Sequence, residues 1–319
     1  MHDLVSLADW TREQVEEVVR LALLAKAEPD RFAGALRGRI LLMMFEKPSL
    51  RTRLSFEAAM LQTGGHAIHY DLAGSPLGKG KESVADTARA ASRFVSAILA
   101  RLFRQSDLEE MARAASVPVV NGLTDAEHPC QALADLVTLR ERFGRLAGLK
   151  IAFVGDGDNN VTHSLLDAGS KAGVSVTVAC PEAEGYLPRA DVLERARRTG
   201  AATGAHVEVV HDPVRGVHAA DAVYADTWTS YHHPPEMREE RHRALAPYRV
   251  TADLMAAAGP GAVFLHCLPA ERGAEVEAAV IDGPRSIVFD QAENRLHAQK
   301  ALLLLLLAPE AAHHPPPRK

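Results

Sequence analysis

Short apolar runs of strand length alternate with helical patterns along almost the whole chain. The run at residues 40–45 has the length of a buried strand, and a helical pattern follows it from about Thr52 to Gln62. Such alternation predicts an α/β fold, in which parallel strands are joined by helices that cover both faces of the sheet. Further strands are predicted at residues 67–70, 97–100, 117–120, 151–154, 174–179, 207–210, 222–225, 263–265 and 287–289.

The chain is long enough for two domains. It has 319 residues, and a second series of strands and helices begins after Gly148. We therefore predict two doubly wound parallel-sheet domains that meet near residue 145, with the active site in the cleft between them, beyond the carboxyl ends of the strands. Residues 291–308 are predicted to form a terminal helix that packs back on the first domain. The tail at 309–319, rich in proline and histidine, is expected to be disordered.

The overall charge and the cysteine content limit the functional class. The formal net charge is −5, whereas a general nucleic-acid-binding protein usually carries a basic face. The longest apolar run, at residues 301–308, is too short to span a bilayer, and the first residues lack the pattern of a signal peptide. Three cysteines without a framework spacing indicate reduced thiols. We therefore expect a cytoplasmic protein that binds neither nucleic acid nor membrane.

The sharpest functional motif is the segment 45–53, Phe-Glu-Lys-Pro-Ser-Leu-Arg-Thr-Arg, between the first strand and its helix. Ser49 can cap this helix, and the backbone N–H groups of the first turn then point outward. A helix start with two hydroxyls and two guanidiniums is well suited to a phosphate. The alternative is a capped helix with surface arginines.

Two further features carry polar groups to the start of a helix. In His128-Pro129-Cys130-Gln131, the histidine could polarise a carbonyl group, and Gln131 could hydrogen-bond an amide nitrogen one turn along. Taken alone, a histidine before a proline is more often a solvated cap. Arg295 lies at the start of the last helix and could reach back into the cleft, although in isolation it is only a surface arginine.

The turn Gly155-Asp156-Gly157-Asp158-Asn159-Asn160 raises a rival function, that of a dehydrogenase binding a dinucleotide. The match to a dinucleotide fingerprint is poor, because Asn160 stands where the third glycine belongs. The second strand also lacks the acidic residue that binds ribose. Asn160 instead offers an amide to a zwitterionic ligand.

Two more motifs follow predicted strands. Asp226 is placed to anchor an ammonium group. The neighbouring His232-His233 suggests a metal, but adjacent ligands rarely converge on one ion, so we predict no metal. Cys267 follows His266 in a strand, where neighbouring side chains face opposite ways, so His266 does not supply the base that a cysteine nucleophile needs.

Taken in order, these motifs resemble those of the aspartate/ornithine carbamoyltransferase family over residues 3–307. The Ser-x-Arg-Thr-Arg and His-Pro-x-Gln elements are specific when they occur together at this separation. Four further elements favour the ornithine branch of the family: Gly-Asp-x-x-Asn-Asn, Asp-x-Trp-x-Ser, His-Cys-Leu-Pro and Ala-Glu-Asn-Arg. The resemblance implies transfer of the carbamoyl group of carbamoyl phosphate to the δ-amine of L-ornithine, giving citrulline and phosphate.

The resemblance also implies which part of the chain binds each substrate. Residues 1–145 would bind carbamoyl phosphate and residues 146–290 would bind ornithine. The carbamoyl phosphate site would comprise Ser49, Leu50, Arg51, Thr52, Arg101, His128, Gln131, Leu268 and Arg295. The ornithine site would comprise Asn160, Asp226, Ser230 and Tyr231, and the catalytic residues would be Arg101, His128 and Cys267. The resemblance implies no cofactor and no metal, and it implies a homotrimer with shared active sites.

The sequence departs from the family pattern in three places. Leu50 replaces a common threonine, Pro76 in the loop 75–81 replaces glutamine or histidine, and Tyr231-His232 replaces Met-Gly. These departures bear on the amine rather than on the chemistry, and they leave a modified ornithine, lysine or putrescine open as substrates. A non-catalytic binding protein of the same fold also stays open.

Overall fold

The chain folds into two compact α/β units. The structure, a computed structural model, describes residues 2–229 and 234–314. The first unit takes in the chain up to Val137 together with the segment from Glu293 onward, and the second runs from Thr138 to Ala292. Each unit contains one parallel sheet, which confirms the predicted fold class.

The first unit is built on four parallel strands. They are β1 (Ile40–Phe45), β2 (His66–Asp71), β3 (Ala97–Arg101) and β4 (Val119–Leu123), in the order β2-β1-β3-β4. The helices along this part of the chain are α1 (Arg12–Ala27), α2 (Leu50–Gln62), α3 (Val84–Ala91), α4 (Gln105–Ala114) and α5 (Pro129–Phe143). The carboxyl ends of β1 and β3 are neighbours, because Phe45 lies opposite Arg101. Segments that leave these two strands therefore start side by side.

The second unit is built on five parallel strands. They are β5 (Lys150–Val154), β6 (Ser175–Ala179), β7 (Val207–Val210), β8 (Ala222–Ala225) and β9 (Val263–His266), in the order β7-β6-β5-β8-β9. The helices that follow in the chain are α6 (Asn160–Lys171), α7 (Ala190–Thr203), α8 (Pro213–Val217), α9 (Arg238–Leu245), α10 (Ala252–Ala258), α11 (Ala278–Ile281), α12 (Val288–Leu307) and α13 (Pro309–His313). Within the described ranges, no helix combines the length and the apolar character needed to cross a membrane.

A strand's position in the sheet explains its residue pattern. β3, Ala-Ile-Leu-Ala-Arg, lies between two other strands, and all of its residues are buried. A strand covered on both faces needs apolar residues almost throughout, and only its last residue, Arg101, is charged. β2, His-Ala-Ile-His-Tyr-Asp, lies at the edge of the sheet and is largely exposed.

The structure departs from two predictions near the end of the chain. Residues 287–289 are not a strand, because α12 begins at Val288 and the Gln291 N–H donates to the Ile287 carbonyl at 2.9 Å, as in a helix. A run of three apolar residues does not distinguish a strand from the first turn of a helix. The tail predicted to be disordered begins instead with α13, which buries Ala312.

Candidate active site

The start of α2 has the geometry of an anion site. Ser49 is the N-cap, with an extended backbone (φ −157°), and its hydroxyl accepts a hydrogen bond from the Thr52 N–H at 3.3 Å. The remaining N–H groups of a first helical turn have no acceptor within the helix. The side chain of Leu50 is 68% exposed. The N-terminus of α2 therefore presents backbone N–H donors to a negatively charged group.

Arg295 of α12 holds two other predicted site residues. Its guanidinium is buried and donates to the side-chain amide oxygen (Oε1) of Gln131 at 2.7 Å and to the Thr52 hydroxyl at 3.1 Å. Gln131 in turn donates from its amide nitrogen to a carboxylate oxygen of Asp135 at 2.8 Å. Thr52 and Arg295 are 243 positions apart in the sequence, yet the fold joins them in one network. Groups held in this way are in position before a substrate binds.

Arg101 brings a second buried guanidinium to the end of β3. It donates to the Gly122 carbonyl oxygen at 3.3 Å, and the pairing of β3 with β4 shifts register at this point. A Cβ atom at position 122 would lie 3.3 Å from the Cβ atom of Arg101. A side chain at position 122 would therefore crowd the base of the Arg101 side chain.

His128 is buried among positive charges. Burial lowers its pKa well below the usual range for histidine, and the charges of Arg295 and Arg101 lower that pKa further. The charges of Arg51 and Lys47 lower it by smaller amounts. The imidazole is therefore neutral at physiological pH, with one N–H that can donate to a carbonyl oxygen without adding another charge to the site.

Lys47 is a buried cation that the sequence motifs do not single out. Its side chain is 2% exposed, and its ammonium lies 4.7 Å from the centre of the Phe103 ring. The pKa of Lys47 is lowered to about 7, mainly by burial and also by the Arg101 charge, while the charges of Asp125 and Glu46 oppose the shift. Its place inside the segment 45–53 is the only signal in the sequence, because burial of a lysine is not visible there.

In the second unit, Asp226 lies directly after β8 and is buried. The Asn159 side-chain amide donates to one of its oxygens at 3.0 Å, and the Cys267 thiol donates to the other at 2.9 Å. Both donors are neutral, so neither of them balances the charge of a carboxylate. The sequence pattern favours Asn160, the first residue of α6, and misses Asn159, which caps that helix and contacts Asp226.

A second buried carboxylate in this unit is already neutralised. Asp156 forms a buried ion pair with Arg241, a residue that no sequence motif marks as functional. Burial raises the pKa of Asp156 to about 7, although the Arg241 charge opposes the shift. Arg241 also donates to the Trp228 carbonyl oxygen at 2.9 Å. Arg241 therefore links α9 to the segment that follows β8 and to the turn after β5.

The segment after β9 is fixed by hydrogen bonds of His266. The Leu268 N–H donates to the imidazole Nδ1 at 2.9 Å, so the ring proton is on Nε2, which lies 3.3 Å from a carboxylate oxygen of Glu275. Leu268 has a positive φ of 60°. Asp226, His266 and Cys267 each have a potential ligand atom within 4.8 Å of the others, but the thiol already binds Asp226 and Nδ1 already accepts from Leu268. The absence of a metal from the mechanism stays a prediction.

The glycines after β5 have a packing explanation rather than a nucleotide-binding one. A Cβ atom at Gly157 would clash with the Tyr186 carbonyl oxygen and would lie 2.8 Å from Pro188. Gly155 has a φ of +135°, a backbone conformation that few other residues adopt. The turn therefore requires glycine for its own folding, and this geometry does not favour the dehydrogenase alternative.

The predicted site residues fall into two groups, one in each unit. The first unit holds Ser49, Leu50, Arg51, Thr52, Arg101, His128, Gln131 and Arg295. The second holds Asn160, Asp226, Cys267 and Leu268. Ser230 and Tyr231 lie outside the described residues.

Family models match both units of the chain. The model described as "Aspartate/ornithine carbamoyltransferase, carbamoyl-P binding domain" matches residues 2–141. The model described as "Aspartate/ornithine carbamoyltransferase, Asp/Orn binding domain" matches residues 147–306. Together they span nearly the whole chain.

Individual proteins that are similar to this chain are ornithine carbamoyltransferases. The ornithine carbamoyltransferase of Symbiobacterium thermophilum is 53% identical over 305 residues, which cover 94% of this chain and 96% of that protein. The solved structure of ornithine carbamoyltransferase from Pyrococcus furiosus superimposes with a TM-score of 0.90 at 47% identity, covering 96% of this chain and 97% of that one. The enzyme from Thermus thermophilus superimposes with a TM-score of 0.85 at 44% identity, covering 96% of this chain and 98% of that one.

Proposed function

The chain belongs to the aspartate/ornithine carbamoyltransferase family, and from this premise we propose that it is an ornithine carbamoyltransferase. It transfers the carbamoyl group of carbamoyl phosphate to the δ-amine of L-ornithine, giving citrulline and phosphate. The observation that carries this function is the network in which buried Arg295 holds Thr52 and Gln131. That network supplies a cation, a hydroxyl and an amide of the kinds that carbamoyl phosphate requires.

The phosphate is bound at the start of α2. Ser49, Thr52 and the Leu50 N–H donate to its oxygens, and Arg51 and Arg101 balance its charge. Gln131 accepts from the carbamoyl nitrogen. Arg295 completes this site by fixing Gln131 and Thr52. Leu268 packs against the carbamoyl group once both substrates are bound.

The chemical step is a direct attack of the neutral δ-amine on the carbamoyl carbon. A tetrahedral intermediate forms, and Arg101, His128 and Thr52 donate to its oxyanion; one such donor contributes about 3–4 kcal/mol in well-studied enzymes. The C–O bond to phosphate then breaks, and the departing phosphate accepts the proton that the amine loses. A neutral His128 suits this role, because it donates a hydrogen bond and keeps its proton throughout.

The amino acid is held by the second unit. Asp226 binds the α-ammonium group, because its hydrogen-bond donors Asn159 and Cys267 leave its charge unbalanced. Asn160 binds the α-carboxylate, and Ser230 and Tyr231 complete the ornithine site. Cys267 holds Asp226 and lines the site without forming a covalent bond to the carbamoyl group.

We also propose that the protein is a homotrimer with shared active sites. Apolar side chains are exposed on α2, at Leu54 and Leu61, and on the edge strand β2, at Ile68 and Tyr70. Residues seven apart in a helix and two apart in a strand share one face, so each element presents an apolar strip suited to a second copy of the chain. In the nearby loop 75–81, Lys79 and Lys81 are exposed and can reach a neighbouring subunit.

Assembly and location have direct tests. A sedimentation mass near that of one chain, 34.4 kDa, would contradict the trimer. None of the three cysteines is in a disulfide, which supports a reducing compartment, and we propose the cytoplasm. Fractionation of cells that express the chain would test that location.

The function is tested by turnover. The purified protein is incubated with carbamoyl phosphate and L-ornithine, and citrulline and phosphate are quantified together. We expect the two products in equal amounts. Phosphate release without citrulline, or no product with any amine, would contradict carbamoyl transfer to ornithine.

A further inference from the structure

Asp135 is a buried acidic residue on the same face of α5 as Gln131. The two side chains are one helical turn apart and are 0% and 1% exposed. The Gln131 side-chain nitrogen (Nε2) donates to a carboxylate oxygen of Asp135 at 2.8 Å. The Gln131 side-chain oxygen (Oε1) accepts from Arg295 at 2.7 Å. The amide of Gln131 is therefore held at both of its polar atoms by residues of the first unit.

These two neighbours favour one orientation of the Gln131 amide. The oxygen and the nitrogen of an amide have nearly the same shape, so the hydrogen-bond partners decide which way the group is turned. A guanidinium only donates, so Arg295 requires the oxygen. An ionised carboxylate only accepts, so Asp135 requires the nitrogen. Turning the amide over would set donor against donor and acceptor against acceptor, and both hydrogen bonds would be lost.

The orientation of the amide decides which chemical group Gln131 can recognise. A carbonyl oxygen has two lone pairs, so Oε1 can accept a second N–H in addition to that of Arg295. In the proposed function, this second donor is the NH2 group of carbamoyl phosphate. A methyl group in the same place, as in acetyl phosphate, has no hydrogen to donate. It would remove water from the amide oxygen without replacing the hydrogen bond, which costs free energy.

We propose that Asp135 is a specificity-determining positioning residue: it keeps the Gln131 oxygen turned toward the carbamoyl nitrogen, so that carbamoyl phosphate is preferred over acyl phosphates of the same shape. This inference rests on the proposed carbamoyl phosphate site and adds to it a residue that acts through Gln131. Asp135 takes part in no covalent step and transfers no proton. Its loss should therefore change the preference between two ligands rather than the affinity for phosphate.

Arg295 alone fixes only the oxygen end of the amide. Its guanidinium also donates to the Thr52 hydroxyl at 3.1 Å, so it is shared between α5 and α2. Without Asp135, the Gln131 nitrogen would need another acceptor, and the carbonyl oxygen of a bound ligand is one. An amide that donates to this oxygen would bind carbamoyl and acyl phosphates alike, because both contain the carbonyl group.

A matched pair of stable analogues measures this preference. Phosphonoacetamide carries the NH2 group, and phosphonoacetone carries a methyl group in its place; the phosphonate and the carbonyl oxygen are common to both. Calorimetry gives the ratio of the two Kd values for each protein, and comparing ratios between proteins cancels the differences in hydration and acidity of the ligands. We expect wild type to prefer phosphonoacetamide about tenfold or more. Asp135→Ala should lower this preference to about threefold or less and should keep the affinity for phosphonoacetone within about threefold of wild type.

Further variants separate positioning from folding. Asp135→Asn keeps an acceptor for the Gln131 nitrogen, so it should retain most of the wild-type preference. Asp135→Leu fills the buried position and replaces Asp135→Ala if the alanine variant folds poorly. Gln131→Ala should abolish the preference, and adding Asp135→Ala to it should change the ratio no further, because Asp135 acts through Gln131.

Thr63→Val is the matched control for the loss of a buried polar group. The Thr63 side chain is buried in the same unit, just beyond the last residue of α2, and its hydroxyl donates to the Ala59 carbonyl oxygen at 2.7 Å, one turn away. The variant should keep the wild-type preference even if it unfolds at a lower temperature.

Two kinds of failure can be told apart. The wild-type preference in Asp135→Ala or Asp135→Leu would overturn the proposal, and so would equal binding of both analogues by wild type. A loss of preference in Asp135→Asn as large as that in Asp135→Ala would also contradict it, because the acceptor is still present. Failure of wild type to bind either analogue would instead contradict the carbamoyl phosphate site itself.

Discussion

The two units present opposite charges to their ligands. In the first, the cations Lys47, Arg51, Arg101 and Arg295 surround a neutral histidine. In the second, Asp226 accepts hydrogen bonds from an amide and a thiol, which do not balance a carboxylate charge, whereas Asp156 is paired with Arg241. In the proposed function, this difference would sort the substrates by charge, the phosphate dianion to the first unit and the ammonium of the amino acid to the second. Variants of each unit should therefore change the binding of one substrate and leave that of the other.

Removing the arginine at the start of α2 should have the largest effect. Arg51→Ala should weaken carbamoyl phosphate binding about 1000-fold, ~4 kcal/mol, because a dianion loses charge-assisted hydrogen bonds at a helix start. Calorimetry measures this loss. The matched control is Arg53→Ala, two residues along, where an exposed guanidinium pairs with Glu57 at 2.9 Å. That variant should bind within about twofold of wild type. Equal losses of affinity in both variants would mean that the segment 45–53 is only a capped helix with surface arginines.

His128 should act on the chemical step rather than on binding. His128→Ala should lower kcat about 100- to 1000-fold, because an oxyanion donor is lost. The KM for carbamoyl phosphate should change much less. His128→Gln should recover part of the rate, since its amide can also donate. Steady-state rates measured at saturating concentrations of both substrates test this prediction. A kcat of the alanine variant within about threefold of wild type would exclude His128 as an oxyanion donor.

The second unit should show the converse selectivity. Asp226→Asn should raise the KM for ornithine about 30- to 100-fold, because the α-ammonium loses a charged acceptor. Binding of carbamoyl phosphate measured alone should be unchanged. Asp158→Asn, an exposed carboxylate in the turn after β5, is the control and should be within about twofold of wild type. If Asp226→Asn weakened the binding of carbamoyl phosphate as much as the binding of ornithine, the proposal that the two units sort the substrates by charge would be wrong.

Cys267 should give the smallest effect of this set. Cys267→Ser keeps a donor to Asp226, so kcat should stay within about tenfold of wild type and the KM for ornithine should rise only a few-fold. A cysteine nucleophile would instead lose nearly all activity. Mass spectrometry of protein quenched during turnover should find no carbamoyl group on Cys267. A trapped carbamoyl-cysteine would replace direct attack by a covalent mechanism.

The two units also differ in how much of their sites the sequence predicts. The proposed phosphate-binding residues of the first unit can be predicted because Ser49, Arg51 and Thr52 lie in one short segment between a strand and a helix. Lys47 lies in the same segment, but its burial over the Phe103 ring is not predicted. Sequence patterns report local periodicity, and they do not report which charged side chain the fold buries.

The amino-acid-binding half depends more on contacts that are distant in sequence. Arg241 pairs with Asp156 across 85 positions, and Asn159 reaches Asp226 across 67. No motif links these residues, so the sequence pattern favours Asn160 rather than its neighbour. The error at residues 287–289 has a different cause: apolar character alone predicts a strand where the first turn of α12 begins.

The choice of amine is the point on which the proposed function depends most. The direct test compares kcat/KM for citrulline-type product formation with L-ornithine, N-acetylornithine, lysine and putrescine at saturating carbamoyl phosphate. We predict that ornithine is preferred, because putrescine has no α-carboxylate for Asn160, and N-acetylornithine has no α-ammonium for Asp226. A tenfold preference for any other amine, ~1.4 kcal/mol in transition-state stabilisation, would contradict the proposed function.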